Sequence, residues 1–180
     1  MIKKIIASVP KRKKALPGYR ESAILMLFFV RGKETYLVTI RRTKGMTLHS
    51  GQMAFPGGKI DPQDKSSYEA AIRETYEEIG VARNQYIHLG DMGFFETLTS
   101  NYDAAAHLAW CPEQPAYKIN HFEVDEIIEI PVSELRKQFR PDLDFNNGEE
   151  VLYLNFHFTP KNSQIAHLWG LTARITHHFL

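Results

Sequence analysis

The sequence predicts an α/β fold: a mixed β-sheet flanked by helices. Two observations carry this. Apolar runs of strand length at 22–30 and 35–41 come first, joined by the polar turn Arg31-Gly32-Lys33-Glu34. A long capped helix follows, then further strands and helices, so the two element types are intermixed rather than segregated. After the opening hairpin, a loop bearing Gly45, His49 and Gly51 leads to a short strand at 53–55. Beyond the capped helix, 86–97 and 104–111 read as strands, with Asn101-Tyr102-Asp103 as the turn between them. Residues 124–130 read as another strand. Pro131 then opens a helix to about Phe139, proline being favoured in the first turn. Residues 151–158 read as a strand and 166–179 as a closing helix. No repeat, low-complexity tract or linker interrupts the chain. The expected organisation is a solvated basic arm over 1–20, whose Lys11-Arg12-Lys13-Lys14 cluster has contact with substrate phosphates as its alternative reading, and one domain over 21–180.

The helix near the middle is the most informative element. Ser66 and Glu69 form an S-x-x-E capping box, and Gly80 stands where a helix ends. Tyr68, Ile72, Thr75, Tyr76 and Ile79 recur at helical spacing and define the expected inner face. Glu74, Glu77 and Glu78 fall at i, i+3 and i+4, within an arc of about 100°. Like charges this close repel and weaken a helix unless a cation lies between them. Carboxylates in this pattern suit a hard ion, Mg²⁺ or Mn²⁺. Arg73, four residues before Glu77, can hold that carboxylate in place. The plain alternative is a solvated acidic face.

These residues arrive together with a tight Pro56-Gly57-Gly58 turn. The combination resembles the signature of Nudix hydrolases, G-x5-E-x7-R-E-U-x-E-E-x-G-U, where U is a bulky aliphatic residue. Residues 73–81 fit, with Thr75 at the first U position. The opening differs: Asp64 stands in place of the glutamate, and one extra residue separates it from Arg73. That variant resembles the coenzyme A pyrophosphatase subfamily, whose box opens G-G-x-x-D-x-x-D, here Gly57-Gly58-Lys59-Ile60-Asp61-Pro62-Gln63-Asp64. The upstream run Leu37-Val38-Thr39-Ile40-Arg41-Arg42, the stretch Gly51-Gln52-Met53-Ala54-Phe55-Pro56 and His49 are similar to the motif that precedes the box in that subfamily. Thr47 stands where the motif has its second arginine. The ending Trp169-Gly170-Leu171-Thr172-Ala173-Arg174-Ile175 is similar to the subfamily's W-G-x-T-x-R-I.

The resemblance implies an α/β/α Nudix sandwich with a loop–helix–loop catalytic motif. It implies metal-dependent hydrolysis of a diphosphate bond in a nucleoside diphosphate derivative. The expected substrate is coenzyme A or an acyl derivative, giving 3′,5′-ADP and 4′-phosphopantetheine. ADP-ribose, dinucleotide polyphosphates or nucleoside triphosphates are the alternative. A Nudix-like binding module without catalysis belongs to another class, and such modules usually lose signature glutamates that this chain keeps. The metal ligands implied are Glu74, Glu77, Glu78 and the carbonyl of Gly58, with Arg73 in support. Glu123, in Asn120-His121-Phe122-Glu123-Val124-Asp125-Glu126, is the downstream candidate for general base beside the signature glutamates. Arg41, His49 and Lys59 are candidates for substrate contacts.

Size and composition set bounds. A chain of 180 residues, 43% hydrophobic and 24% charged, is that of a globular domain. The net charge of +1 gives no whole-chain argument for nucleic-acid or membrane binding. No run approaches the ~18–20 apolar residues of a membrane span. Cys111 is the one cysteine, so no intrachain disulfide forms, which fits a cytoplasmic location. None of the eight histidines lies in a zinc spacing such as H-E-x-x-H. No G-x-S-x-G elbow, P-loop or G-x-G-x-x-G occurs. The expected partner is a small nucleotide diphosphate, with a homodimer left open.

Overall fold

The protein is described by a computed structural model covering residues 12–44, 51–97, 99–140, 154–161 and 163–180. The loop with Gly45, Thr47 and His49, and the start of the strand expected at 151, lie outside the described residues. The elements run β1 (Arg20–Arg31), β2 (Glu34–Arg42), β3 (Met53–Ala54), β4 (Gly57–Lys59), α1 (Ser67–Ile79), β5 (Ile87–Glu96), β6 (Tyr102–Trp110) and β7 (Val124–Pro131). Then come α2 (Val132–Lys137), β8 (Asn155–Phe158), β9 (Ala166–Trp169) and α3 (Gly170–Phe179).

One sheet has the order β3-β2-β1-β6-β5, with β4 also paired to β1 and β7 to β2; β8 and β9 form a separate pair. β1 and β6 are parallel and the other pairings are antiparallel, so the sheet is mixed as expected. Because successive residues of a strand face opposite sides, β1 feeds two cores. Met26 and Phe28 pack with β9 and α3, joining Leu168, Ile175 and Phe179. Ala23, Leu25, Leu27 and Phe29 pack with α1 through Ala70, Ala71 and Ile79. Burial on both faces explains why residues 23–29 of β1 read as an almost unbroken apolar run.

Four expectations are corrected. The strand β4 forms within the turn motif, because Gly57-Gly58-Lys59 pairs with Ser22–Ile24. Residues 166–169 are a strand, not the first turn of the closing helix. Their burial alternates, Ala166 and Leu168 inward and His167 and Trp169 outward, and four residues are too short a run to announce period two in sequence. Tyr102 and Asp103 belong to β6, and the turn before it ends at Asn101, in left-handed conformation. Finally, Arg12 is not a solvated arm residue: its guanidinium pairs with Asp103, which is fully buried, and with Glu96 at 2.9 Å.

Cys111 directly follows β6 with no exposed surface, and burial pushes its thiol up to about 12. A disulfide reagent at pH 8 is therefore expected to leave Cys111 unmodified in the folded protein and to titrate one thiol after denaturation.

Candidate functional site

The central helix α1 is capped as the sequence predicts, with one shift. Ser66 Oγ accepts from the Glu69 N–H at 3.2 Å, but Glu69 reaches back to the N–H of Lys65 rather than of Ser66. Gly80, in left-handed conformation, donates to the Tyr76 carbonyl at 2.9 Å and closes the helix. The inner face differs from expectation. Ala70, Ala71, Thr75, Glu78 and Ile79 are buried, whereas Tyr76 is 59% exposed and Tyr68 and Ile72 lie at the margin. Two alanines let the helix approach β1 closely, which carries one of the three carboxylates inside.

That carboxylate is Glu78, which has no exposed surface. One oxygen accepts from the Gly57 N–H at 2.9 Å and the other from Arg42 at 3.1 Å. Each oxygen keeps a second lone pair. Glu74 lies one turn earlier, with 15% of its side chain exposed. A Cβ added at Gly58 would sit 2.5 Å from its carboxyl group, so only glycine leaves room for that carboxylate against the turn. Glu77, half exposed, stands at the rim.

Arg73 holds this group in place. Its guanidinium donates to both oxygens of Asp64 at 3.2 and 3.0 Å, to Glu74 at 3.0 Å, to Glu77 at 3.1 Å and to the Lys59 carbonyl at 3.0 Å. Asp64, which replaces the signature glutamate, is thus the far anchor of Arg73. The loop before β7 closes the other side. The Asn120 N–H donates to the Glu78 carbonyl at 2.9 Å and the Lys118 N–H to the Ile79 carbonyl at 2.8 Å. This brings Glu123 within electrostatic reach of Glu74 and Glu78. Burial pushes the Glu78 carboxyl up to about 8 against the pull of Gly57 and Arg42, and the charges of Glu74 and Glu123 add to the rise. Glu74 is raised too, by burial first, with Arg73 opposing and Glu77 and Glu123 adding.

The remaining candidates fall elsewhere. Arg41 and Arg42 are adjacent in β2 and face opposite sides. Arg41 points to Glu126 at 3.4 Å and to the Gln164 carbonyl at 3.0 Å, while Arg42 reaches the glutamates. Alternation along β2 was the signal that could have singled out Arg42. Lys59 has an exposed side chain and contributes its carbonyl to Arg73. His49 lies outside the described residues.

An all-oxygen donor set of crowded, partly buried carboxylates, with one helix turn of spacing and a glycine that clears space beside them, fits a hard divalent cation. The NUDIX domain family model matches residues 19–153. The chain belongs to the Nudix family. A Nudix hydrolase, NudL, of Yersinia enterocolitica is 32% identical over 157 residues, covering 86% of this chain and 76% of that protein. A probable Nudix hydrolase of Schizosaccharomyces pombe is 29% identical over 161 residues, 89% of this chain but 55% of its own length. Among solved structures, a MutT/nudix family protein from Enterococcus faecalis overlays with TM-score 0.60 at 15% identity, over 93% of this chain and 63% of that one. The NUDIX domain of Shewanella oneidensis NrtR, solved with ADP ribose, overlays with TM-score 0.54 at 18% identity, over 74% and 85%. At such identities the overlays report the fold alone. Family membership makes the chain a pyrophosphohydrolase of nucleoside diphosphate derivatives, a class that generally works with divalent ions.

Two outcomes follow for Nudix residues outside the glutamate trio. Gly58→Ala is expected to displace Glu74 and weaken Mn²⁺ binding at least tenfold, about 1.4 kcal/mol, in a calorimetric titration. Asp64 is held below the ordinary carboxylate value of 3.8 by its hydrogen bonds to Arg73. A depressed carboxyl contributes stability above its unfolded value and loses it as pH falls through the folded one. Asp64→Asn should therefore destabilise by about 2 kcal/mol at pH 7, with the gap to wild type in denaturant melts shrinking below about pH 4.

Proposed function

We propose that this Nudix protein hydrolyses the diphosphate bridge of coenzyme A or an acyl-coenzyme A with Mg²⁺ or Mn²⁺, releasing 3′,5′-ADP and 4′-phosphopantetheine. The observation that carries the reading is the packing of Glu74 and Glu78 against Gly57-Gly58, with Glu77 at the rim and Glu123 facing them. Glu74, Glu77, Glu78 and the Gly58 carbonyl would hold the ion, which would supply charge neutralisation for the diphosphate and a more acidic water.

The chain's own groups do the rest. Arg73 fixes the orientation of Glu74 and Glu77, so little reorganisation accompanies the reaction. Glu123 takes the proton of the attacking water as the new P–O bond forms. The bond to the bridging oxygen breaks, and that oxygen leaves on the second product phosphate. Lys59, exposed on β4 next to Gly58, and His49 are the side chains we assign to the substrate; Arg41 is left out, since it faces the other side of β2 and is engaged by Glu126 and the Gln164 carbonyl. The coenzyme A assignment rests on the extended G-G-x-x-D-x-x-D box. Asp61 and Asp64 have a structural use here, since the Asp61 N–H donates to Asp64 at 2.8 Å and Asp64 anchors Arg73.

Thr47, in place of the upstream motif's arginine, favours a second reading on ADP-ribose or a dinucleotide polyphosphate. The NrtR domain was solved with ADP ribose, and a Caenorhabditis elegans Ap4A hydrolase overlays with TM-score 0.54. A panel of coenzyme A, ADP-ribose, dinucleotide polyphosphates and nucleoside triphosphates, read by product mass with Mn²⁺, separates the two. Coenzyme A is expected to give the highest kcat/KM, and Glu77→Gln and Glu78→Gln each to lose at least a hundredfold, about 3 kcal/mol. Preference for ADP-ribose overturns the substrate assignment. Unchanged turnover in both variants overturns the site.

A further inference from the structure

Strand β5 is irregular in a way that builds something. In a regular strand, residues three apart face opposite sides. Between His88 and Gly90, and again between Asp91 and Gly93, the register against β6 slips by one residue. Both glycines have positive φ, 143° at Gly90 and 91° at Gly93, which other residues rarely adopt. The two bulges give this strand a period of three. Leu89, Met92 and Phe95 all pack on the β9–α3 side of the sheet. His88, Asp91 and Phe94 are thereby turned to the α1 side, where Phe94 joins the other core.

His88 and Asp91 then meet His107, which lies opposite Asp91 on β6. Asp91 Oδ1 is 2.7 Å from His107 Nδ1 and 3.0 Å from His88 Nε2, and one ligand atom from each of the three residues lies within 4.8 Å of the others. Both imidazoles are oriented from outside. The second nitrogen of His107, Nε2, is 3.1 Å from Ser67 Oγ, and the His88 ring stacks on Tyr68 with centroids 3.9 Å apart. His107 is nearly fully buried, so its ring is held in one orientation with Nδ1 turned to Asp91. Asp91 is more than half exposed, so solvent reaches the group, and a cavity of about 380 Å³ lined by Ser67, Asp91, Gly93 and His107 adjoins it.

We propose that His88, Asp91 and His107 form a site for a borderline-soft divalent metal, Zn²⁺ foremost, separate from the glutamate cluster. Two imidazoles and a carboxylate are the donor set of zinc and its late first-row neighbours, whereas Mg²⁺ takes oxygen. Tetrahedral bonds of about 2.0–2.1 Å put ligand atoms about 3.3 Å apart, so the pairs at 2.7 and 3.0 Å need to open only slightly. Rotation of the exposed Asp91 supplies this. The contact from His107 to Ser67 has the form of the partner that orients a metal-bound histidine. Ser67 opens α1, about 16 Å along the helix from Glu78, so the ion ties β5 and β6 to the start of the helix that carries the glutamates.

The test is a calorimetric titration of the full chain with Zn²⁺ in saturating Mg²⁺, which occupies the glutamates. One equivalent is expected in wild type and in Glu77→Gln, accompanied by a rise in Tm. His88→Ala and Asp91→Ala should bind Zn²⁺ at least a hundredfold more weakly, and zinc should no longer raise their Tm above each variant's own zinc-free value. Cobalt gives a second readout: its visible spectrum should change in these two variants and not in Glu77→Gln. The proposal fails if wild type takes up no zinc under these conditions. It also fails if the His88 and Asp91 variants bind as wild type does, or if the bound equivalent disappears in Glu77→Gln.

Discussion

A single buried carboxylate, that of Glu78, joins three elements that are distant in the chain. It sits on α1, takes an N–H from Gly57 on β4 and pairs with Arg42 at the end of β2. Burying a charge without such partners costs several kcal/mol, so the three elements are held to one mutual arrangement. The alanines of α1 allow the helix close enough for this, and the loop from Lys118 to Glu123 is pinned to the helix end by backbone hydrogen bonds. Everything else at the site inherits its position from that contact. Glu74 meets the glycine turn because Glu78 has fixed the helix rotation.

Arg73 plays the complementary part on the outer side. One guanidinium serves Asp64, Glu74, Glu77 and a strand carbonyl, which uses its planar fork of donors fully. A lysine offers a point charge and three donors on a flexible stem, and does not reproduce such an arrangement. The site therefore has an inner anchor that sets where the helix lies and an outer one that sets how two of its carboxylates point.

Much of this was legible in sequence, for identifiable reasons. Caps, terminal glycine and the i, i+3, i+4 spacing are local, so α1 and its acidic face could be read directly. The two-sided burial of β1 was legible as an unbroken apolar run. What failed depended on partners far away in the chain. Tyr76 has the right period for the core, yet the helix turns Glu78 inward because Gly57 and Arg42 await it. Arg41 and Arg42 look alike in sequence, and only the side of β2 each faces separates them. The four-residue alternation at 166–169 was too short to compete with the helical pattern after it. The histidines showed no metal spacing because two strands supply them and the bulges of β5 bring them round; spacing rules assume a regular element.

The parallel pairing of β1 with β6 has a consequence for how the chain folds. Ser22 faces Ala104, and the two are separated by about eighty residues, so this contact carries a large loop-closure cost. During synthesis the hairpin of β1 and β2, the β4 pairing and α1 can all form while that edge of β1 still has nothing beside it. The glutamate cluster is thus assembled from early segments, and the middle of the sheet is closed late. Until β6 arrives, the nascent domain exposes an apolar strand edge, the state most prone to pairing with another copy. Expression temperature and ribosome speed across residues 80–110 should then govern how much of the protein reaches its soluble form.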